Sequence, residues 1–345
     1  MANKLDAAAV LSLCVVLAFT LAGQSAAAGR YYGDKVQDTV RKEVEKAIAY
    51  DRSIGPALVR LVFHDCWING CDGSVLLDKT PTDGTNTEKK AVINIGLAGF
   101  QLIDTIKQQL GPNASCADIV AFAGRDAADI LSGGKIFYTI PGGRKDGVVS
   151  SAKVADANLP ESTFDFDQLQ NNFNARGFSV EELVVLSGAH SIGVAHLSSY
   201  QDRLGRADST PIDPDYQAAL NKTTPLSLLQ KGQNPTVPNN VRDETAAFQT
   251  DAAYDPVAMG VSPEKIVLDN SYYHNNLVNK VLFESDWVLR TDGDAADKLE
   301  EYKENATEWH SDFAAAMVKL SSLPAQGKNF EIRKNCRVTN KQYYY

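Results

Sequence analysis

Arg60-Leu-Val-Phe-His-Asp-Cys-Trp-Ile-Asn-Gly-Cys-Asp-Gly-Ser74 is the stretch on which the reading of this chain turns. Arg60 and His64 are four residues apart, so a helix puts them on one face, about a turn from each other. A fixed cation and a titratable base then address the same space. Alone, such a pair is ordinary surface decoration; here Leu61, Val62 and Phe63 lie between the two and Asp65-Cys66 follows at once. The second half of the stretch brings two carboxylates, a serine hydroxyl and two glycines into a tight loop. Hard cations take several oxygens at once, from carboxylates, hydroxyls and bent-out carbonyls. Asp65, Asp72 and Ser74 are thus candidate ligands, and calcium suits an oxidised extracellular setting better than magnesium. A disulfide-closed turn with solvated acids is the competing reading of the loop.

Outward from this stretch the periodicity is helical. Val36, Val40, Val44 and Ile48 recur every fourth residue, one apolar stripe, and Pro56 stands near the start of the helix that reaches His64. Ser115 followed by Asp118 predicts an N-cap with an acid in the first turn, opening a helix from Cys116 to about Leu131. Ser179 and Glu182 form a capping box for a helix that ends near Gly188. Trp309, Phe313, Met317 and Leu320 mark a late amphipathic helix stopped by Pro324. Polar, Gly/Pro-rich connections are expected at 78–87, 141–146 and 211–240. No alternating strand pattern persists and no internal repeat is evident. The expected fold class is all-α, with long connections that need ions, bridges or a function to justify their order.

Lys4, the apolar run 7–21 and Ser25-Ala26-Ala27-Ala28 have the three parts of a secretory signal. We expect residues 1–28 to be removed and 29–345 to form a single domain that is soluble and secreted. The charge of −9 argues against nucleic acid, anionic lipid and acidic polysaccharide as tight partners. Cys14 leaves with the signal. Cys66, Cys71, Cys116 and Cys336 then read as two disulfides with three possible connectivities; a Cys/His zinc site lacks the paired CxxC spacing. Asn113, Asn221 and Asn305 open glycosylation sequons.

Two further segments carry chemistry. In Leu186-Ser-Gly-Ala-His-Ser-Ile-Gly193, His190 stands between small residues just past a capped helix, where a flat cofactor could approach it; a packed core histidine is the plainer alternative. Leu268-Asp-Asn-Ser-Tyr-Tyr273 and Glu284-Ser-Asp-Trp287 supply acids that could support His190 or bind a second ion.

The runs RLVFHDCWINGCDGSVLL, TEK, SCADIVAFAGRDA, ELVVLSGAHSIG, LDNSYY, SDW and EIRKNC, in that order, resemble the secreted plant haem peroxidases of class III, from about Tyr31 onward. The resemblance implies a two-lobed all-α fold with one protohaem (haem b) between distal and proximal halves. By position it makes His190 the proximal iron ligand and Asp286 the carboxylate that accepts its other ring hydrogen. It makes Arg60 and His64 the distal pair, with Phe63 packed beside the haem and Asn94 bonded to His64. Pro160 matches a proline lining the aromatic-donor site. For two calcium ions it implies Asp65, Asp72 and Ser74 with the Ile68 and Gly70 carbonyls and Glu88 through water, and, proximally, Ser191 and Asp269. Asp118 with Arg144 matches a buried pair. The retained bridges are then Cys66–Cys71 and Cys116–Cys336. The implied reaction reduces hydrogen peroxide and oxidises phenolic donors such as monolignols, in the apoplast or cell wall, with no nucleic-acid or membrane partner and as a monomer.

The chain departs from the family in places. Eight cysteines in four bridges are usual there; here Val36 and Leu110 stand where one pair is expected and Leu197 where half of another is, so packing is expected to replace bridging. Residues 255–267 do not align cleanly with the remaining proximal calcium ligands, leaving Asp255 and Ser262 as candidates. His196 stands at a position near a haem propionate, where it either pairs with that group or fills space. A calcium-dependent binding protein without activity is disfavoured by the intact set Arg60, His64, Asn94, His190 and Asp286. A Ser/His/Asp hydrolase is disfavoured by the absence of a GxSxG elbow.

Overall fold

The apolar stripe at Val36, Val40, Val44 and Ile48 is buried along its whole length, and its helix is the first of a series that encloses a common core. The computed structural model describes residues 34–204, 210–240 and 266–340. The expected signal segment and the candidates Asp255 and Ser262 lie outside them.

In chain order the helices begin with α1 (Asp34–Tyr50), α2 (Ile54–Asn69), α3 (Phe100–Leu110) and α4 (Cys116–Leu131). Then come α5 (Ala152–Asn158), α6 (Phe166–Asn174), α7 (Val180–Ser187), α8 (Pro214–Thr223) and α9 (Ser227–Gln230). The last are α10 (Ser271–Leu277), α11 (Glu284–Trp287), α12 (Gly293–Glu304) and α13 (Ala306–Ser321). The strands are short: β1 (Asp146–Gly147), β2 (Val194–His196), β3 (Thr236–Pro238) and β4 (Phe330–Glu331), paired antiparallel as β1 with β4 and β2 with β3. The fold class is all-α, as the periodicity indicates.

Local chemistry sets several boundaries. The Asp118 amide donates to Ser115 Oγ at the start of α4, and Ser179 and Glu182 exchange both bonds of a capping box at the start of α7. Residues 211–240 are a correction: the expected loop contains α8, α9 and β3. The signal was present in Asp213-Pro214, where Asp213 caps α8 and Pro214 occupies its first turn. Tyr216 and Leu220, four apart, are its buried face. With Leu197, Tyr200 and Val237 they form a small second hydrophobic cluster.

The main core lies between α2 and α4, with α1 and α3 against α4. α13 joins the two halves, packing on α7 and also on α2. Its Trp309 is fully buried and donates from Nε1 to the Val185 carbonyl. Gly188 makes that approach possible, because a Cβ there would fall 2.6 Å from both Trp309 Nε1 and the Tyr273 hydroxyl. The Asp118–Arg144 pair is buried at 2.7 Å, and Arg144 also donates to the Ser321 carbonyl at the end of α13.

Both disulfides are Cys66–Cys71 and Cys116–Cys336. Val36, Leu110 and Leu197, where bridges are missing, are all buried. Burying such side chains contributes roughly 1.5–3 kcal/mol each, comparable to a bridge across a short loop. The Cys116–Cys336 bridge closes a span of 220 residues, for which the chain-entropy model gives an upper value of about 5 kcal/mol. Replacing both cysteines by alanine should therefore lower the denaturant midpoint by an amount corresponding to at most that value, measured by equilibrium unfolding.

Candidate active site

The helical spacing of Arg60 and His64 puts both on one face of α2, and a turn at residues 93–95 meets that face. His64 is buried, with Nδ1 2.6 Å from Asn94 Oδ1, while Asn94 Nδ2 donates to the Glu88 carbonyl at 2.8 Å. The second bond fixes which end of the amide faces the ring. His64 must then donate from Nδ1 and keep a lone pair on Nε2. Arg60 Nε donates to that lone pair at 3.1 Å, and its other nitrogens donate to the Ile95 and Ile93 carbonyls at 3.2 and 3.0 Å. Burial lowers the Arg60 pKa to about 10, which leaves it charged at neutral pH. Burial and then the Arg60 charge hold His64 well below 6.5, against the Asn94 bond that raises it. A neutral base thus sits beside a fixed cation. Phe63, half-buried, stacks on Trp67 with ring centroids 4.6 Å apart.

On the other side, α7 ends in the turn Gly188–Ser191, which carries His190. His190 Nδ1 lies 2.7 Å from Asp286 Oδ1, so an Nδ1–H donated to the carboxylate leaves the Nε2 lone pair free. Tyr272 donates its hydroxyl to the same carboxylate at 3.1 Å, and the Phe283 ring stands edge-on to His190. The His190 side chain is 39% exposed although Ser191 and Ile192 beside it are buried. A histidine anchored from behind and open in front is the donor a haem iron requires. The segments bearing the two histidines meet at their edges: a Cβ on Gly193 would touch Pro56 of α2, and one on Gly96 would fall 2.4 Å from His196 Nε2. His196 thus bridges to the distal turn. The chemistry of the residues present fits a haem: His190 is the donor that would hold it, and Arg60 with His64 the polar pair that would face it.

The loop after α2 is the candidate cation site. Asp65, Asp72, Ser74 and Glu88 are all buried. Asp65 accepts from the Gly73 amide at 2.9 Å and Asp72 from the Ser74 amide at 2.9 Å. Gly70 (φ +75) permits the bend, and a Cβ there would strike the Pro324 carbonyl. Ser74 Oγ and both carboxylate oxygens of Glu88 make no well-aligned hydrogen bond, although Ser74 lies close enough to Asp72 and Glu88 to lower both somewhat. Burial, then Asp72, raises Asp65 to about 8; burial raises Asp72 to about 6 and Glu88 well above its usual range. Orphaned buried oxygens among unpaired acids are the chemistry a hard cation resolves. Among the described residues no three His, Cys, Asp or Glu side chains suffice to hold a metal alone, so a cation here depends on Ser74 and on carbonyls such as those of Ile68 and Gly70.

The proximal candidates are only partly assembled. Ser191 Oγ is buried and without a partner, and Asp269 accepts from the Ser271 hydroxyl at 2.6 Å. Asn240 donates to both the Ser191 carbonyl and Ser271 Oγ, which links the two. Pro160, half-buried, follows α5.

Sequence reasoning missed the Ile93 and Ile95 carbonyls that hold Arg60, the Tyr272 hydroxyl on Asp286, and Arg333. Fully buried, Arg333 donates to the Cys336, Asp72 and Gly73 carbonyls and so ties the cation loop to the C-terminal segment. Tyr272 and Arg333 lie inside the quoted runs LDNSYY and EIRKNC; carbonyl acceptors leave no mark in a sequence.

The family model described as Peroxidase matches residues 40–305. Peroxidase 5 of Vitis vinifera is 40% identical over 311 residues, covering 87% of each chain. Peroxidase 2 of Zea mays is 38% identical over 90% of this chain and 88% of its own. The lignin-forming anionic peroxidase of Nicotiana sylvestris is 34% identical over 88% and 87%. No helix among the described residues is long and apolar enough to cross a membrane.

The buried acids give a pH-dependent stability. Without a cation, Asp65 and Asp72 in the folded chain keep their protons up to about 8 and about 6, against 3.8 ordinarily. The folded state then binds more protons than the unfolded one, so its stability falls as pH rises through that window. In chelator the melting temperature should drop between pH 5 and pH 8. Added calcium should reverse most of the drop, and Asp72→Asn should flatten it; thermal melts across pH, with metal analysis, test this.

Proposed function

The chain belongs to the class III plant peroxidases and is a haem peroxidase acting on hydrogen peroxide; from that premise we propose that Arg60 and His64 cleave the peroxide, that His190 holds the iron, and that the reductants are small phenols such as monolignols. One observation carries the proposal. Each histidine is held at Nδ1 by a side-chain oxygen, Asn94 for His64 and Asp286 for His190, so each turns its Nε2 lone pair away from its anchor, open on His190 and taken by the Arg60 Nε–H on His64.

The two environments divide the labour. His64, neutral and buried beside a cation, suits a base: it takes the proton from the inner peroxide oxygen at Nε2 and gives it to the departing one. Arg60, beside the His64 Nε2, presents its positive charge and its Nε–H to the oxygen on which negative charge develops. Ile93 and Ile95 keep the guanidinium in place, so little reorganisation is needed. His190 faces an anion, and the Asp286 carboxylate makes its ring a stronger electron donor towards a metal. Haem, when bound, supplies the iron and porphyrin that accept two oxidising equivalents and pass them on singly. Pro160 would meet the aromatic donor. The lignin-forming activity in the name of the tobacco relative supports phenolic donors here.

The same reading includes a calcium ion at Asp65, Asp72 and Ser74, with the Ile68 and Gly70 carbonyls and Glu88, and a second at Ser191 and Asp269. It places the protein outside the cell, in the apoplast or wall, as a monomeric single domain of residues 29–345 after loss of the signal 1–28. The orphaned Ser74, Glu88 and Ser191 oxygens support the ion sites, and the paired cysteines support an oxidising setting.

Absorption spectra and stopped-flow kinetics test the proposal. Wild-type protein should show a Soret band. His190→Ala should retain little or no haem, since the imidazole opposite, His64, is engaged at both ring nitrogens by Asn94 and Arg60; a normal five-coordinate spectrum in that variant would move the iron ligand elsewhere.

His64→Ala should keep the haem but react with peroxide slower by roughly 10² to 10⁴, the range of general acid–base catalysis. The wild-type rate should fall on the acid side only well below 6.5, the ordinary value from which His64 is lowered. A near-normal rate in the variant would remove His64 from the proton relay.

A further inference from the structure

Arg60 and His64 sit on α2, yet the groups that orient them come from elsewhere, from three consecutive residues. Ile93 and Ile95 supply the carbonyls that hold the guanidinium, and Asn94 holds the imidazole. The strap 93–95 therefore sets both side chains at once. Its rear attachments are few: Asn94 Nδ2 on the Glu88 carbonyl, and the Ile93 amide on Asp156 Oδ1 at 3.1 Å. Ile93 donates to no main-chain acceptor, whereas Asn94 and Ile95, the two residues after it, do.

Asp156 lies in α5, half-buried, and among the described residues no cation pairs with it. The helix is anchored two residues later. Asn158 donates from Nδ2 to the Val154 carbonyl, and its own carbonyl accepts from Asn172 Nδ2 at 2.9 Å. Asn172 Oδ1 accepts from Trp67 Nε1 at 2.8 Å. Arg176 adds bonds to the Trp67 carbonyl and to Asn158 Oδ1. Trp67 is three residues after His64 on α2. A closed circuit results, running from His64 along α2 to Trp67, across Asn172 to Asn158, back along α5 to Asp156, and through Ile93 and Asn94 to His64. Asp156 is where that circuit joins the strap.

We propose that Asp156 is a positioning residue for peroxide cleavage: by accepting the Ile93 amide hydrogen it fixes the strap from which both Arg60 and His64 are held. The inference rests on the peroxidase reading above and adds a residue that touches neither peroxide nor haem. A misplacement of about an ångström in a catalytic group costs up to roughly 10²-fold in rate, so loss of this anchor acts on the peroxide step. The electron-donor steps make no use of Arg60 and His64 orientation to the same degree.

The test uses haem-loaded full-length protein as wild type, Asp156→Ala and Asp156→Asn. Stopped flow gives the peroxide step and the donor step separately, and hydrogen exchange reports the Ile93 amide. Asp156→Ala should slow the peroxide step by about 10- to 100-fold, leave the donor step near wild type and speed exchange at Ile93. Asp156→Asn keeps an acceptor oxygen and should restore all three. Faster exchange at Ile93 with an unchanged peroxide step would overturn the proposal. So would equal impairment in both variants, or a parallel loss of both steps with a lowered melting temperature. A wild-type protein without a Soret band or a peroxide reaction would overturn the peroxidase reading, and this proposal with it; a normal wild type beside a normal Asp156→Ala would sink only the role of Asp156.

Discussion

The Asn94 side chain is the joint on which the site depends. Its nitrogen end is fixed to the Glu88 carbonyl and its oxygen end to the His64 ring. Because an amide cannot rotate one end without the other, the backbone position of Glu88 determines the tautomer of His64. Glu88 in turn is held by its amide on Ser150 Oγ, and its carboxylate is turned in among Asp65 and Asp72. The cation loop and the base are thus two ends of one short chain of bonds. That chain accounts for a buried cluster of acids beside the proposed base: a counter-ion at the cluster would settle Glu88, and a settled Glu88 would orient His64.

The proximal side follows the opposite logic. Asp286 is a buried anion shared between His190 and Tyr272, and the Tyr273 and Trp309 hydrogen bonds to α7 carbonyls hold the turn above it. In the proposed reaction this charge would push electron density through the ring towards a metal, whereas the distal charge would receive density from a breaking bond. The fold keeps the two apart by assigning them to α2 and to the segment after α7, joined through α13.

Much of this was legible before any coordinates. The spacing Arg60/His64, the caps at Ser115 and Ser179, and the stripe on α1 are local patterns whose physics is contained within a few residues, and they appear where expected. The pairing of Asn94 with His64 was reachable only through the resemblance, and the acids near 284–287 could be suggested for His190 but Asp286 singled out only that way, since partners 30 and 96 residues apart leave no periodic trace. The stretch 211–240 was misread because its polar, Pro-rich composition outweighed the cap at Asp213 and the pair Tyr216/Leu220. The roles of the Ile93 and Ile95 carbonyls were out of reach, because every residue carries the same acceptor and only tertiary placement selects among them.

The replacement of bridge positions by Val36, Leu110 and Leu197 bears on how the chain matures. Eight cysteines can pair in 105 ways, and the four that remain here, once Cys14 is lost with the proposed signal, in only three. With Cys66 and Cys71 five residues apart, the local bridge closes readily, and the remaining pair then has a single choice. An oxidising compartment therefore has almost no mispairing to correct in this protein. The long-range bridge records that Cys116 and Cys336 have already been brought together, so it can form late, as a lock on a chain that packing has assembled.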